Sequence, residues 1–374
     1  MKIVYCLYRT FKVGGTERIV ISKANWLAAH GYDVTIVTAI QFGRPDYFPL
    51  HPAIKRIDLD IPYDDIQSFG VFKKMLVRRK LIKLHRKKLE EVLIEANADI
   101  VISTFGNEAS FLPQIKDGSR KIVEIHFSRL YRLNLNRTGV WRLINKYLFY
   151  NDARLLKKFD RFICLTAEDR QNWTNAENIE VIPNFVDAEE SFQAPLQSKS
   201  MIAVGRLSYE KGYDRLIKAW KIVAQKYPDW TLNIFGTGEL KCDLEKQISE
   251  ANLSGKVNIH TPTKDIINEY LQHSALVLSS RSEGLPMVLL EAMKVGLPMI
   301  SFACQCGPRD VIEDRHNGIL VADGDIHGLA NAIIEVIEDP ALRQMLGNNA
   351  YKSAEKYKKD DIMRRWEALF NSIK

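Results

Sequence analysis

Cysteine is scarce in this chain: five residues in 374, an odd number. That excludes the dense, even set that staples small secreted domains. Cys304 and Cys306 lie two apart, but no further Cys/His cluster accompanies them, so they read as buried thiols and not as a metal site. No long apolar run occurs, which excludes a membrane-spanning helix of the usual ~18 or more residues. The apolar stretch Ile3–Tyr8 ends at Arg9 and is too short for a signal peptide, so a reduced, cytosolic protein is expected, free or peripheral to a membrane. A G-x-G-x-x-G fingerprint is missing from the first strand-to-helix loop, and zinc-finger spacings and RNA-binding motifs are missing throughout.

The residues that are present suit packed cores. Apolar residues make up 46% of the chain, and its length favours two domains over one. Charge is unevenly divided. Residues 1–190 carry 30 Lys+Arg against 23 Asp+Glu, whereas residues 191–374 carry 23 of each, so the net charge of +7 belongs to the first half. An anionic partner for that half follows.

Buried-type strands alternate with helices in two series. Lys2–Tyr8, Tyr32–Ala39, Ile54–Asp60, Asp99–Phe105, Arg120–Phe127, Arg161–Thr166 and Ile179–Val186 form the first. Met201–Leu207, Trp230–Phe235, Val257–Pro262, Ala275–Leu278, Leu297–Ala303 and Gly318–Val321 form the second. Such alternation predicts α/β architecture with two doubly wound parallel sheets. The first domain is placed at 1–190, a polar linker at Asp187–Lys199, the second domain at 195–357, and a last amphipathic helix within 358–374.

The most informative stretch is Ser279–Met293. Glu283 closes the strand before it, Gly284 permits a sharp turn or a close approach, and Pro286 sits at the first position of the following helix, which carries Glu291. Open α/β sheets bind ligands beyond the carboxyl ends of their strands, and carboxylates accept hydrogen bonds from sugar and ribose hydroxyls. A solvated acidic loop is the plain alternative. Arg206 and Lys211 flank another strand-to-helix loop, where they can pin a diphosphate or simply form a surface cation pair. Gly14-Gly15 precede a helix with Thr16 as N-cap, and Gly236-Thr237-Gly238 open another; each permits backbone approach to a ligand or is a tight turn. His126 ends a strand and is a site candidate for that reason. Asp58-Leu59-Asp60 and Asp323-Gly324-Asp325 are formally D-x-D, but neither has further ligands nearby and both are read as structural.

Between Phe72 and Ala96 lies a basic amphipathic helix, with Lys73, Lys74, Arg78, Arg79, Lys80, Lys83, Arg86, Lys87 and Lys88 inside sixteen residues. An anionic membrane surface, a lipid-linked diphosphate and a merely solvated face all suit it; nucleic acid lacks supporting aromatics. Val140–Lys158 is amphipathic too, and its aromatics Trp141, Tyr147, Phe149 and Tyr150 suit either the core, which is favoured, or a second membrane contact.

Taken together these motifs resemble family 4 of the retaining glycosyltransferases. Glu283 and Glu291 form an E-x7-E, within Ser282-Glu283-Gly284-Leu285-Pro286 and Glu291-Ala292-Met293. Val204-Gly205-Arg206-Leu207 with Glu210-Lys211-Gly212, Cys306-Gly307-Pro308-Arg309-Asp310 and Asn317-Gly318-Ile319-Leu320-Val321 match later landmarks. Gly14-Gly15-Thr16-Glu17-Arg18, His126-Phe127-Ser128-Arg129 and Ile182-Pro183-Asn184 match more loosely. The chain departs from the family at His260-Thr261-Pro262-Thr263, where a glycine is usual.

The resemblance implies a GT-B fold, two Rossmann-like lobes facing across a cleft, with the last helix crossing back onto the first lobe. It implies retaining transfer from a nucleotide-diphospho-sugar, most simply UDP-linked, to a lipid-linked or growing surface glycan. Arg206 and Lys211 would stabilise the leaving diphosphate in place of a metal. Glu283 would bind donor-sugar hydroxyls, Glu291 the ribose, and His126 the reacting face. Gly15, Gly236, Gly284, Leu285 and Pro286 would complete the donor site. Lys73, Lys74, Arg78 and Arg79 would meet the acceptor or an anionic membrane. No cofactor, metal or nucleic acid is expected. An epimerase or phosphorylase on the same fold and a non-catalytic basic binding protein remain the alternatives.

Overall fold

The computed structural model describes every residue except 13, 67, 135–138, 174, 175, 187–191, 264 and 374, and only the backbone of 71, 72, 132, 134, 140 and 141. The expected boundary at 190 and the start of the linker therefore lie outside the described residues.

The first sheet contains β1 (Lys2–Leu7), β2 (Asp33–Thr38), β3 (Lys55–Asp58), β4 (Ile100–Ser103), β5 (Arg120–Glu124), β6 (Arg161–Cys164) and β7 (Ile179–Val181). Their order is β3-β2-β1-β4-β5-β6-β7, and every pairing is parallel. The second contains β8 (Ser200–Val204), β9 (Thr231–Phe235), β10 (Val257–His260), β11 (Leu276–Leu278), β12 (Met299–Phe302) and β13 (Gly318–Val321), ordered β10-β9-β8-β11-β12-β13 and again parallel throughout. In both sheets the order reverses beside the first strand of the series, which opens a crevice at the carboxyl ends. Central strands are apolar on both faces because helices cover both; Ile3–Leu7 and Ile100–Ser103 are wholly buried.

Most elements lie within a few residues of their sequence positions. Two caps differ. Helix α1 spans Gly15–Ala29 with Gly14 as its N-cap, not Thr16. The helix Met287–Lys294 begins one residue after Pro286, which is its N-cap. The terminal helix, Lys359–Ile373, buries Ile362, Met363, Trp366, Leu369, Phe370 and Ile373 in the core formed by β1, β2, β4 and α1. Trp26 Nε1 donates to Asp360 Oδ1 at 2.7 Å and Tyr32 donates to Glu367 at 2.9 Å, fixing the same docking. The chain thus ends on the sheet with which it began.

The basic helix α2 spans Val71–Ala96. Leu81, His85, Leu89 and Leu93 face inward, and Lys73, Lys74, Arg78 and Arg79 are exposed. The helix Val140–Leu156 reverses the expected arrangement. Leu143, Tyr147 and Tyr150 are 69%, 67% and 56% exposed, while Asn145 and Asp152 are buried, so Tyr147 and Tyr150 are not core residues. The side chain of Trp141 lies outside the described residues. Among the described residues, no helix is long and apolar enough to cross a membrane.

His85 carries a pH consequence. It is buried against Tyr63 and Phe111, 3.0 Å from the Tyr63 hydroxyl, and burial lowers its pKa from 6.5 to about 4. Below pH 6.5 the unfolded chain binds a proton that the folded chain refuses. The neutral histidine's stabilisation is therefore complete above pH 6.5 and lost as pH falls through about 4, a change of about 3 kcal/mol. Denaturant titrations at pH 7 and pH 4 are expected to show this loss, and His85→Phe to reduce it.

Candidate active site

The carboxyl ends of the two sheets face one another, and the loop after β11 touches the loop after β5. A β-carbon placed on Gly284 would lie 2.7 Å from the His126 carbonyl oxygen and 3.1 Å from the Phe127 Cα. Only glycine allows that approach. On its other side, a β-carbon on Gly307 would meet the Gly284 carbonyl oxygen at 2.8 Å; Gly307 itself has φ +92°.

The same face of the cleft is held by hydrogen bonds between domains. Asp310 Oδ1 accepts from the amides of Ala167 and Glu168 at 2.9 and 3.3 Å, capping the helix Ala167–Asn172 from outside its own domain. Arg309 pairs with Glu168 at 3.0 Å, and the Cys306 amide donates to the same carboxylate at 3.2 Å. Cys306, at φ +64°, presents its thiol to Ser128 and Asp169. Burial, then Asp169, pushes that thiol up to about 12, so it stays protonated and packs as an interface residue.

Each expected site residue has a definite place. Glu283 accepts from Lys211 Nζ and from Ser280 Oγ, both at 2.6 Å. Glu291 is held by Tyr270, whose hydroxyl donates at 2.8 Å, and by Arg18 of α1 on the opposite domain. Both carboxylates therefore carry a cation. Arg206 is exposed and its side chain has no partner among the described residues. Gly15 stands at the first turn of α1, with open space where a side chain would be. His126 is nearly buried, and neither ring nitrogen has a hydrogen-bond partner among the described residues.

Two expectations change. Gly236 and Gly238 admit backbone, since side chains there would strike the carbonyl oxygens of Gly205 and Leu207. Leu285 and Pro286 are buried, Leu285 in the second-domain core and Pro286 against Gly307, so any donor contact from them is through backbone. Asp58 pairs with Arg56 and accepts from Thr38, Asp323 pairs with Arg215, and Asp325 caps the helix Ile326–Glu338, which accounts for both D-x-D motifs. Among the described residues, no group of three or more His, Cys, Asp or Glu is placed to hold a metal.

Sequence reasoning missed Lys23 and Glu124. Lys23 is 2% exposed and pairs with Glu124, which is fully buried at the end of β5 beneath His126. Lys23 lies in register with the buried Ile19, Val20 and Leu27, and a lysine at such a position signals a buried acidic partner.

Gly284→Ala is expected to disrupt the contact between the domains, because its β-carbon meets the His126–Phe127 backbone of the first domain. The loss should exceed 1 kcal/mol in urea unfolding, and X-ray scattering should show a wider cleft. A variant as stable and as compact as the parent would refute the contact.

Two family models match the chain: Glycosyltransferase Family 4 over residues 13–190, and Glycosyl transferases group 1 over residues 186–353. The amylovoran biosynthesis glycosyltransferase AmsD of Erwinia amylovora is 26% identical over 374 residues, covering 96% of each chain. A Campylobacter jejuni α-1,4-N-acetyl-D-galactosaminyltransferase, named for a diNAcBac-PP-undecaprenol-linked acceptor, is 25% identical over 385 residues, covering 100% of this chain and 99% of that one. Among solved structures, a variant of S. aureus TarM in complex with fondaparinux, α-GlcNAc-glycerol and UDP superposes with a TM-score of 0.79 at 18% identity, covering 99% of this chain and 100% of that one. With both halves matched in order and two parallel-sheet lobes facing across a cleft, the chain belongs to the group 1, family 4 glycosyltransferases of the GT-B fold.

Proposed function

We propose that the protein is a retaining glycosyltransferase that moves a hexose or N-acetylhexosamine from a UDP-sugar to a lipid-linked surface-glycan acceptor. The observation that carries this reading is the closure of Glu283-Gly284 on His126, which brings a donor-side carboxylate and a first-domain imidazole to one cleft. UDP is favoured because the TarM structure contains it. The acceptor class is favoured by the two relatives, one named for amylovoran biosynthesis and one for a diNAcBac-PP-undecaprenol acceptor.

In this reading the bond between the sugar's anomeric carbon and the diphosphate oxygen breaks as a bond to the acceptor oxygen forms on the same face. The acceptor's proton passes to the departing phosphate oxygen. Negative charge grows on the diphosphate, and Arg206 and Lys211 stabilise it without a metal. Lys211 already lies 2.6 Å from Glu283, so its ammonium can span the sugar-binding carboxylate and the leaving phosphate. Glu283 orients donor hydroxyls, Glu291 the ribose, and His126 the sugar's reacting face. Gly15 leaves room at the first turn of α1, where backbone N–H groups favour an anion.

The acceptor is presented at the inner face of the cell membrane, to which this cytoplasmic protein binds peripherally. Helix α2 supplies charge: Lys74, Arg79, Lys80 and Lys83 are exposed and have no ion-pair partner among the described residues. The helix Val140–Leu156 supplies outward Leu143, Tyr147 and Tyr150 beside exposed Arg142 and Lys146. Apolar and aromatic side chains set among cations suit the headgroup region of an anionic bilayer.

UDP and UDP-sugars are expected to raise the melting temperature in the presence of a chelator, and Arg206→Ala and Lys211→Ala to abolish the rise. Absence of a rise with any nucleotide, even with magnesium or manganese, would overturn the donor site. Conversion of a UDP-sugar without release of UDP would point to an epimerase instead.

Neutralising Lys73, Lys74, Arg78 and Arg79 together should weaken binding to phosphatidylglycerol vesicles by about two to three orders of magnitude, at roughly 1 kcal/mol per charge. Leu143→Ser with Tyr147→Ser should also release the protein. Unchanged flotation of both variants with the vesicles would exclude the membrane reading.

A further inference from the structure

The charges buried beneath the cleft are not needed for any contact assigned above. Glu124 is fully buried and ion-paired with Lys23. The Lys23 ammonium also lies 4.5 Å over the ring of Trp366, on the terminal helix. Only one Glu124 oxygen is used in this way. The other, Oε1, has no hydrogen-bond partner among the described residues and lies 3.5 Å from His126 Nε2. His126 in turn has both ring nitrogens unsatisfied, with 7% of its side chain exposed. Glu124 ends β5, and His126 follows it two residues on.

Stability alone gives no reason for this arrangement. A buried Lys–Glu pair is commonly no better than two apolar side chains of the same volume, and an unsatisfied buried carboxylate oxygen costs free energy. An imidazole held against that oxygen, however, acquires a defined orientation and tautomer.

We propose that Glu124 is a positioning residue for His126: its free oxygen draws Nε2–H and so fixes the ring's orientation and tautomer, and Lys23 keeps Glu124 an acceptor. The inference rests on the donor-site reading of His126. Lys23 is needed because a buried carboxyl without a cation takes up a proton and becomes a donor, which would require Nε2 to accept and reverse the tautomer. The charges agree with this. Burial pushes the Glu124 carboxyl up, but the Lys23 ammonium draws it back below the usual carboxylate range. Trp366 completes the cage and links it to the helix that returns from the second domain.

The test is Lys23→Met with Glu124→Leu, which removes both charges and retains volume, so that neither partner is left buried alone. The double variant is expected to fold and to keep the parent's UDP-induced thermal shift. Its kcat should fall roughly 10- to 100-fold, the scale of a misplaced reacting group, with little change in donor KM. His126→Ala should lower kcat similarly, and the triple variant no further. Ring ¹⁵N shifts of the parent, assigned by their loss in His126→Ala, should show Nε2 protonated. A folded double variant with the parent's kcat, losses that multiply in the triple variant, or an Nδ1–H tautomer in the parent would each overturn the proposal. If the double variant fails to fold, the parent's tautomer still decides. Absence of a UDP shift in the parent would defeat the donor reading by itself, and the ring nitrogens would still report whether Glu124 holds His126.

Discussion

The contact between Gly284 and the His126 carbonyl is the constraint on which the rest of the site depends. Two parallel sheets can face each other at their carboxyl ends only if the loops between them come close. Here a loop from each domain meets with no side chain between them. Once that distance is set, Glu283 on one side and His126 on the other open into one cleft. The flanking contacts act on the same geometry: Asp310 caps a first-domain helix, and the Cys306 amide bonds to that helix's Glu168. A side chain at Gly284 would strike the His126 backbone and push the domains apart, whereas one at Gly307 would strike Pro286 and the Gly284 carbonyl and distort the loop that makes the contact.

Charge in the cleft follows from this closeness. Carboxylates in a narrow, partly dry space need a partner, and each of the two has found a cation, Lys211 for Glu283 and Arg18 for Glu291. The Arg18 pair joins the domains. On the proposed donor-site reading, a ribose bound at Glu291 would exchange with Arg18 or share the carboxylate with it. Helix α1 therefore acts twice: Arg18 near its start reaches the donor-side carboxylate, and Lys23, further along, holds Glu124 beneath His126. Trp366 stacks over Lys23, so the terminal helix belongs to the support of the site as well as to the core.

Much of this was legible in the sequence because it is local. Strands such as Ile3–Leu7 announce themselves as apolar runs, and the loops carrying Arg206, Lys211 and Glu283 are recognisable from glycines and charges at fixed spacing. Pairings between distant segments were not legible. Nothing near Glu291 points to Arg18, and nothing near Glu124 points to Lys23; each pair exists only after the strands have been ordered. The glycine turn at Gly236 and Gly238 shows the opposite limit. Sequence reveals that something approaches closely, but not that it is the neighbouring loop's backbone. Tyr147 and Tyr150 of the Val140 helix face outward, against the favoured core assignment, because periodicity defines an apolar stripe without saying which way it faces.

That reversed stripe is the least economical feature of the fold for a protein surrounded only by water. Leu143, Tyr147 and Tyr150 point outward while Asn145 and Asp152 are buried, although turning the helix would hide the apolar side chains. Self-association through this face is opposed by charge. From 142 to 158 the helix and its end carry Arg142, Lys146, Arg154, Lys157 and Lys158, and the one acid among them, Asp152, is turned inward. Two copies would bring ten cations together. A surface rich in anions and apolar just below them satisfies both the stripe and its charges. On the proposed membrane reading, the excess positive charge would lie in residues 1–190 because that half meets the anionic surface.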